Sequence, residues 1–313
     1  MPRGAVALIV LILTACSLSV PGSARADAPA LRVGDSWTYR TNTSFAEGFV
    51  LNGTARFTLA ARGNVSVEGT DHDAFRVEIR GEGAIHGEVP VNGGSVPISG
   101  TWDLVGEELL TASGLKVVSS LLELLAQGVT QPFSQPFVLR VRNLTRFTIL
   151  DDSWRFPVDV GDAGSVRSRF NASEDVSFRY SLFDDTSNSN GTGERTLAYR
   201  VESRSDVQTP AGRFEAYAIR ETWPDGRYDV LHFAAAVGNN ARTQSYNETG
   251  AQVATTELVA YRYQALEPAT FLGLTATGWA IGLIVASVTT AAASWAWRRR
   301  RMALRPPPTP PTA

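Results

Sequence analysis

Large apolar residues recur at every second position through much of this chain, a spacing that suits strands with one face toward a core and one toward water. Trp37 and Tyr39 show it, as do residues 55–61, then Phe75, Val77 and Ile79, residues 138–141, Tyr199 and Val201, and residues 214–219. Glycine and asparagine clusters separate these runs. At Thr209, Pro210, Ala211 and Gly212, and again at Trp223, Pro224, Asp225 and Gly226, proline and glycine stand where tight turns between strands want them. The pattern predicts a mainly β, antiparallel domain built as a curved sheet or incomplete barrel. Trp37, Tyr39, Trp102, Trp154, Phe214 and Trp223 are its expected core anchors.

One stretch breaks the alternation. Leu115, Val118, Leu121, Leu122 and Leu125 follow helical spacing, and Gly128 stands where a C-terminal cap belongs. The spacing predicts an amphipathic helix over 115–127, closing the open side of a sheet or covering an apolar cavity as a lid. The chain also repeats itself. Val33, Gly34 and Asp35 are echoed by Val160, Gly161 and Asp162, and residues 57–65 parallel residues 199–207. Two related β units are expected, 27–150 and 151–268.

Both ends carry targeting signals. Arg3, the apolar run 5–15 and the small-x-small pattern ending at Ala26 make residues 1–26 a signal peptide; a competing lipobox-like reading of residues 13–16 would lipidate Cys16 instead. Residues 271–297 hold no charge, enough helix to cross about 30 Å of hydrocarbon. We read 269–297 as a transmembrane helix. Arg298, Arg299, Arg300 and Arg301 follow at once and mark the inner side, leaving 298–313 as a basic, proline-rich cytoplasmic tail. The expected topology is single-pass type I, with the β domain outside the cell membrane. Within the span, Gly278, Gly282 and Ala286 form a small-residue stripe that would let two copies pair as a homodimer.

Seven of the eleven asparagines lie in Asn-x-Ser/Thr triplets between these signals: Asn42, Asn52, Asn64, Asn143, Asn171, Asn190 and Asn247. They predict an N-glycosylated surface, with the glycans near turns and strand ends, and together with the arginine bias they suggest an archaeal source. Outside the two ends, 22 basic residues face 31 acidic ones, a formal charge of −9 that excludes nucleic acid as a partner. Cys16 is the single cysteine, so neither disulfides nor thiol chemistry is available to the β domain.

Val33 to Tyr39, Val207 to Phe214, Ala236 to Gly238 and Thr256 to Tyr261 resemble a group of secreted prokaryotic proteins with VGDxWxY and TPAGxF signatures. Those domains are similar to the half-barrels of LolA/LppX-type lipoprotein carriers, and the resemblance implies a curved sheet around a helix-plugged apolar cavity. It assigns no site residue. No GxSxG elbow, HExxH helix or phosphate-cradling loop is present, and the chain is read as a non-enzyme with no cofactor. His72 between Asp71 and Asp73 reads as an ordinary turn in place of a metal site. The acid pairs Glu107 with Glu108, Asp151 with Asp152, and Asp184 with Asp185 read as solvated loop residues. The expected function is a cell-surface binding or structural module, engaging envelope proteins; the alternatives are a carrier or sensor of a lipid or other apolar ligand and, last, an enzyme.

Overall fold

The computed structural model describes residues 25–26, 29–44, 48–91, 94–112, 116–131, 134–154, 157–180 and 183–263. The expected span with Gly278, Gly282 and Ala286, the tail, and Cys16 lie outside them. Among the described residues no helix is long and apolar enough to cross a membrane.

Fourteen strands follow one another: β1 Arg25–Ala26, β2 Ser36–Ser44, β3 Phe49–Val67, β4 Thr70–Val91, β5 Gly94–Thr111, β6 Val117–Thr130, β7 Pro136–Asp152, β8 Val158–Asp159, β9 Ala163–Tyr180, β10 Phe183–Thr209, β11 Gly212–Thr222, β12 Tyr228–Ala234, β13 Asn239–Tyr246 and β14 Gln252–Arg262. Twelve of them close into an antiparallel barrel, in which β9 pairs with both β7 and β10, and β14 pairs with β2. β1 and β8 form a separate two-stranded ladder, which lays Arg25 and Ala26, the expected cleavage junction, against Asp159 and Val158. The sheet is therefore closed where the sequence suggested an open one. Closure removes the two edge strands that a curved open sheet would leave exposed.

The helix expected at 115–127 is strand β6. Leu122, Leu124 and Ala126 turn inward, while Leu121, Glu123, Leu125 and Gln127 face out, and the strand is laddered on both sides by β5 and β7. Leucines on both faces of one strand imitate a helical spacing, and two full ladders outweigh that local preference. Gly128, expected as a cap, sits opposite Gly100 inside the sheet.

The interior is a packed core. Trp37, Trp102, Tyr39, Phe49, Phe57, Phe137, Phe147 and Phe233 are all buried to within 2% of complete, so side chains and not solvent fill the barrel at these levels. Trp154, Phe214 and Trp223 also lie in this core. Its corners are made by glycine. A Cβ on Gly83 would lie 2.0 Å from the Asn52 carbonyl oxygen and 2.6 Å from the Gly53 Cα, and the Trp102 ring covers the gap. Only residues without side chains allow two strands to bend this sharply toward one another.

The twelve barrel strands fall into two runs of six with one backbone plan. β2 to β7 correspond in order to β9 to β14. Gly34 (φ 98°) donates to the Leu59 carbonyl and Asp35 accepts from the Leu59 amide; Gly161 (φ 99°) and Asp162 do the same with Val201. The Asp35 carboxylate takes the Arg32 amide at 2.8 Å, and that of Asp162 takes the Asp159 amide at 2.7 Å. Bulges between Leu59 and Ala61 and between Val201 and Ser203 match, as do those at Leu109–Leu110 and His232–Phe233. The repeated glycine is required here because its positive φ is strained for any residue with a Cβ.

Candidate functional site

The motifs carrying the resemblance converge at one end of the barrel. Trp37 Nε1 donates to the Val237 carbonyl at 2.7 Å, the Tyr39 hydroxyl to Asn239 Oδ1 at 2.6 Å, and the Ala211 amide to the Leu258 carbonyl at 3.1 Å. Leu258 stands opposite Tyr39 where β14 meets β2. These residues fasten one seam. All are buried or hydrogen-bonded into the wall, and none is presented to a ligand.

The interior also holds charge. Glu221, Asp229 and Ser245 form one inward row across β11, β12 and β13; the matching row of the other run is Ile79, Gly106 and Leu122. Glu221 is 1% exposed and Asp229 2%. Burial, then the neighbouring Asp229, holds Glu221 well above the usual carboxylate range, with Lys116 opposing. Burial raises Asp229 to about 6, against hydrogen bonds from Ser245 and Trp223 and the charge of Arg227. Lys116 Nζ lies 2.8 Å from Asp152 Oδ2, so one ammonium serves this neighbourhood. Beside it the Arg195 guanidinium sits 4.5 Å from the centre of the Phe147 ring and 5.8 Å from that of Trp223.

Two more acids face inward. Glu108, opposite Ser120, is fully buried, and burial raises it to about 8 against a smaller pull from Ser120. Glu174, opposite Asn143, is raised to about 7 by burial and by Asp175. Adjacent acids thus separate by face: Glu107 points outward, 3.4 Å from Arg76, while Glu108 points into the core. Glu107, Glu108, Asp151, Asp152, Asp184 and Asp185 all lie on strands, which corrects their reading as loop residues. Alternation would have flagged Glu108, had its segment been recognised as a strand.

The outer wall carries a groove of about 560 Å³ over β5, β6, β7, β9 and the start of β10. Val105 and Leu125 line it, with Val105 52% exposed. Arg142 is held by Glu123 at 3.0 Å and Asp175 at 3.7 Å. Arg140, in the same groove and exposed, has no ion-pair partner among the described residues. A second groove of about 580 Å³ lies over β14, β2 and β3 and contains Asn42 and Asn52, which stand directly opposite each other.

Six of the seven sequon asparagines lie within strands, and Asn247 lies in the β13–β14 turn, where its Oδ1 accepts from the Thr249 and Ala251 amides. Asn42, Asn52, Asn64 and Asn247 stand at a turn or within three residues of a strand end, as expected, whereas Asn143, Asn171 and Asn190 lie mid-strand, which corrects their placement. Asn42, Asn64, Asn171 and Asn190 are exposed on the outer wall or hairpins, and Asn52 is half-buried. Asn143 is 1% exposed in the core, with its Oδ1 accepting from Thr145 at 2.9 Å, out of reach of a glycosyltransferase once the barrel has closed. Asp73 is bound to Arg62 through two hydrogen bonds. Among the described residues no three His, Cys, Asp or Glu side chains are grouped to hold a metal ion.

No protein-family model matches the chain, and no curated protein matches it. Among solved structures, the crystal structure of a "putative lipoprotein" from Parabacteroides distasonis ATCC 8503 is similar at 12% identity, over 75% of this chain and 97% of that one, with a TM-score of 0.27. Likeness of that degree transfers neither fold nor function. The plugging helix implied by the motif resemblance does not occur among the described residues, where the one helical element is a 3-10 turn at Ala235–Val237.

Proposed function

We propose that this barrel is the outward-facing binding head of a membrane-tethered cell-surface glycoprotein, and that its ligand has an apolar body and an anionic end. The tether and orientation rest on the uncharged run 271–297 and the arginines after it. The observation that carries the binding reading is Arg140, a guanidinium with no ion-pair partner among the described residues, beside Val105 and Leu125 in a groove whose other arginine is already neutralised. Guanidinium groups recognise carboxylates in a planar, bidentate manner, and exposed apolar side chains beside one favour an aliphatic chain. The packed interior argues against cargo carried inside the barrel. A catalytic role has no support from the groove, which holds no nucleophile paired with a base.

Titration of the full chain in detergent with dodecanoate, followed by calorimetry, tests this reading. Saturable binding that weakens at least tenfold in Arg140→Glu and in Val105→Asp is expected. Equal binding by these variants and the wild-type chain would refute it.

A further inference from the structure

Three carboxyl groups and one ammonium meet where the two runs of strands face each other inside the barrel. Asp152 takes the Lys116 ammonium directly, at 2.8 Å. Glu221 and Asp229 are left side by side across the β11–β12 ladder, each almost wholly shielded from water. Glu221 Oε2 is buried and has no hydrogen-bond partner among the described residues. Every element packed against the pair contributes a known group. β10 places Tyr199 opposite Glu221, β13 places Ser245 opposite Asp229, the β11–β12 turn supplies Trp223 and Arg227, and the segment before β6 supplies Lys116. Arg227 is itself bound to Asp225, and Arg195 is stacked among Phe147, Phe170 and Trp223. The available positive charge is thus mostly committed elsewhere.

Two carboxyl groups on directly opposed positions of one buried ladder repel each other's charge in a low-dielectric interior, so that one keeps its proton. The corresponding row of the other run shows that this backbone does not need acids at these places, since Ile79, Gly106 and Leu122 occupy them. We propose that the closed barrel binds a proton at the Glu221–Asp229 pair, so that the fold is tightest in acid and loosens as that proton leaves. The unfolded chain, whose carboxyls titrate normally, releases the proton at lower pH than the folded chain does. The folded state therefore binds more protons through this window, and stability falls with rising pH. Below the ordinary carboxylate range both states are protonated and the dependence vanishes. Glu108 and Glu174 lie elsewhere on the inner wall, and their upward shifts act in the same direction.

The test is unfolding of the full chain in detergent, followed by tryptophan fluorescence between pH 4 and 9. One bound proton makes the unfolding constant rise about tenfold per pH unit across the window. The wild-type chain should show at least this slope between pH 5 and 6. Glu221→Gln should reduce the slope by about one such factor, while Glu108→Gln should leave the pair's contribution in place. If Glu221→Gln does not fold, infrared difference spectra of the wild-type chain between pH 5 and pH 9 give a second readout, in which a protonated carboxylic acid band must disappear with alkali. Unfolding that is independent of pH, or that becomes harder as pH rises from 5 to 8, would overturn the proposal, as would the absence of that band.

Discussion

The run β2–β7 and the run β9–β14 share turns, bulges and hydrogen bonds, yet they fill the barrel with different chemistry. Where the first has Trp37 opposite Phe57, the second has Gly164 opposite Tyr199. The place a side chain would take at Gly164 is held by the Ser153 hydroxyl and the Tyr199 ring, and Trp154, from the connection between the runs, packs on that ring with centroids 4.2 Å apart. Gly53 and Gly81 of the first run likewise correspond to Arg195 and Trp223 of the second. The first run is thus mostly sterically locked, through glycine corners and large aromatic rings. At matched places the second carries Glu221, Asp229 and Arg195 where the first has Ile79, Gly106 and Gly53. One backbone plan tolerates both because the matching bulges and turns fix the strand register, whatever the inward residues are.

Substitutions can break or sharpen this contrast. The largest effect is expected at a first-run corner. Gly83→Val places a side chain on the Asn52 carbonyl and under the Trp102 ring and should abolish the folded barrel, read as loss of the cooperative unfolding transition. Gly191→Ala, where a Cβ meets nothing within 4 Å, should fold normally. Next comes Trp154→Ala, which removes the buried ring packed on Tyr199 and should cost about 3–5 kcal/mol by denaturant titration. Converting the polar row to its counterpart, with Glu221→Ile, Asp229→Gly and Ser245→Leu together, should raise stability at pH 8 by about 1–4 kcal/mol and remove much of the pH dependence. A loss of stability at pH 8 would show that the acids contribute packing that the apolar row cannot replace. Smallest is Arg213→Ala, which breaks an exposed pair with Asp206 on the β10–β11 hairpin and should change stability by less than about 1 kcal/mol.

The repeated Val-Gly-Asp residues were legible as a duplication because a positive-φ turn demands glycine and its carboxylate cap demands aspartate. The matching bulges at Leu109 and His232 were not legible, since a bulge constrains backbone and leaves no fixed residue type. Alternation identified the strands around Trp37, Phe75 and Phe214, where one face is wet. It failed at β6, where Leu122 and Leu124 face the core while Leu121 and Leu125 face outward. Leu125 lines the outer groove, so the leucine that spoiled the strand pattern is a candidate ligand contact. Arg140 gave no signal in the sequence, because an unpaired charge is defined by what is absent around it in space. Asn143 shows the converse: a triplet recognised by its letters is shielded by the strand that holds it.

The two seams, β7 with β9 and β14 with β2, join equivalent strands of the two runs. Each run presents on one side the edge that the other run needs, so a single run would close around a second copy of itself as a two-fold ring. The connection between β7 and β9 supplies Trp154 to the core and also keeps the two halves at high effective concentration, replacing a second-order encounter with an intramolecular one. A chain cut in that connection should still yield a closed barrel from its two fragments, at a rate that depends on how much of each is present.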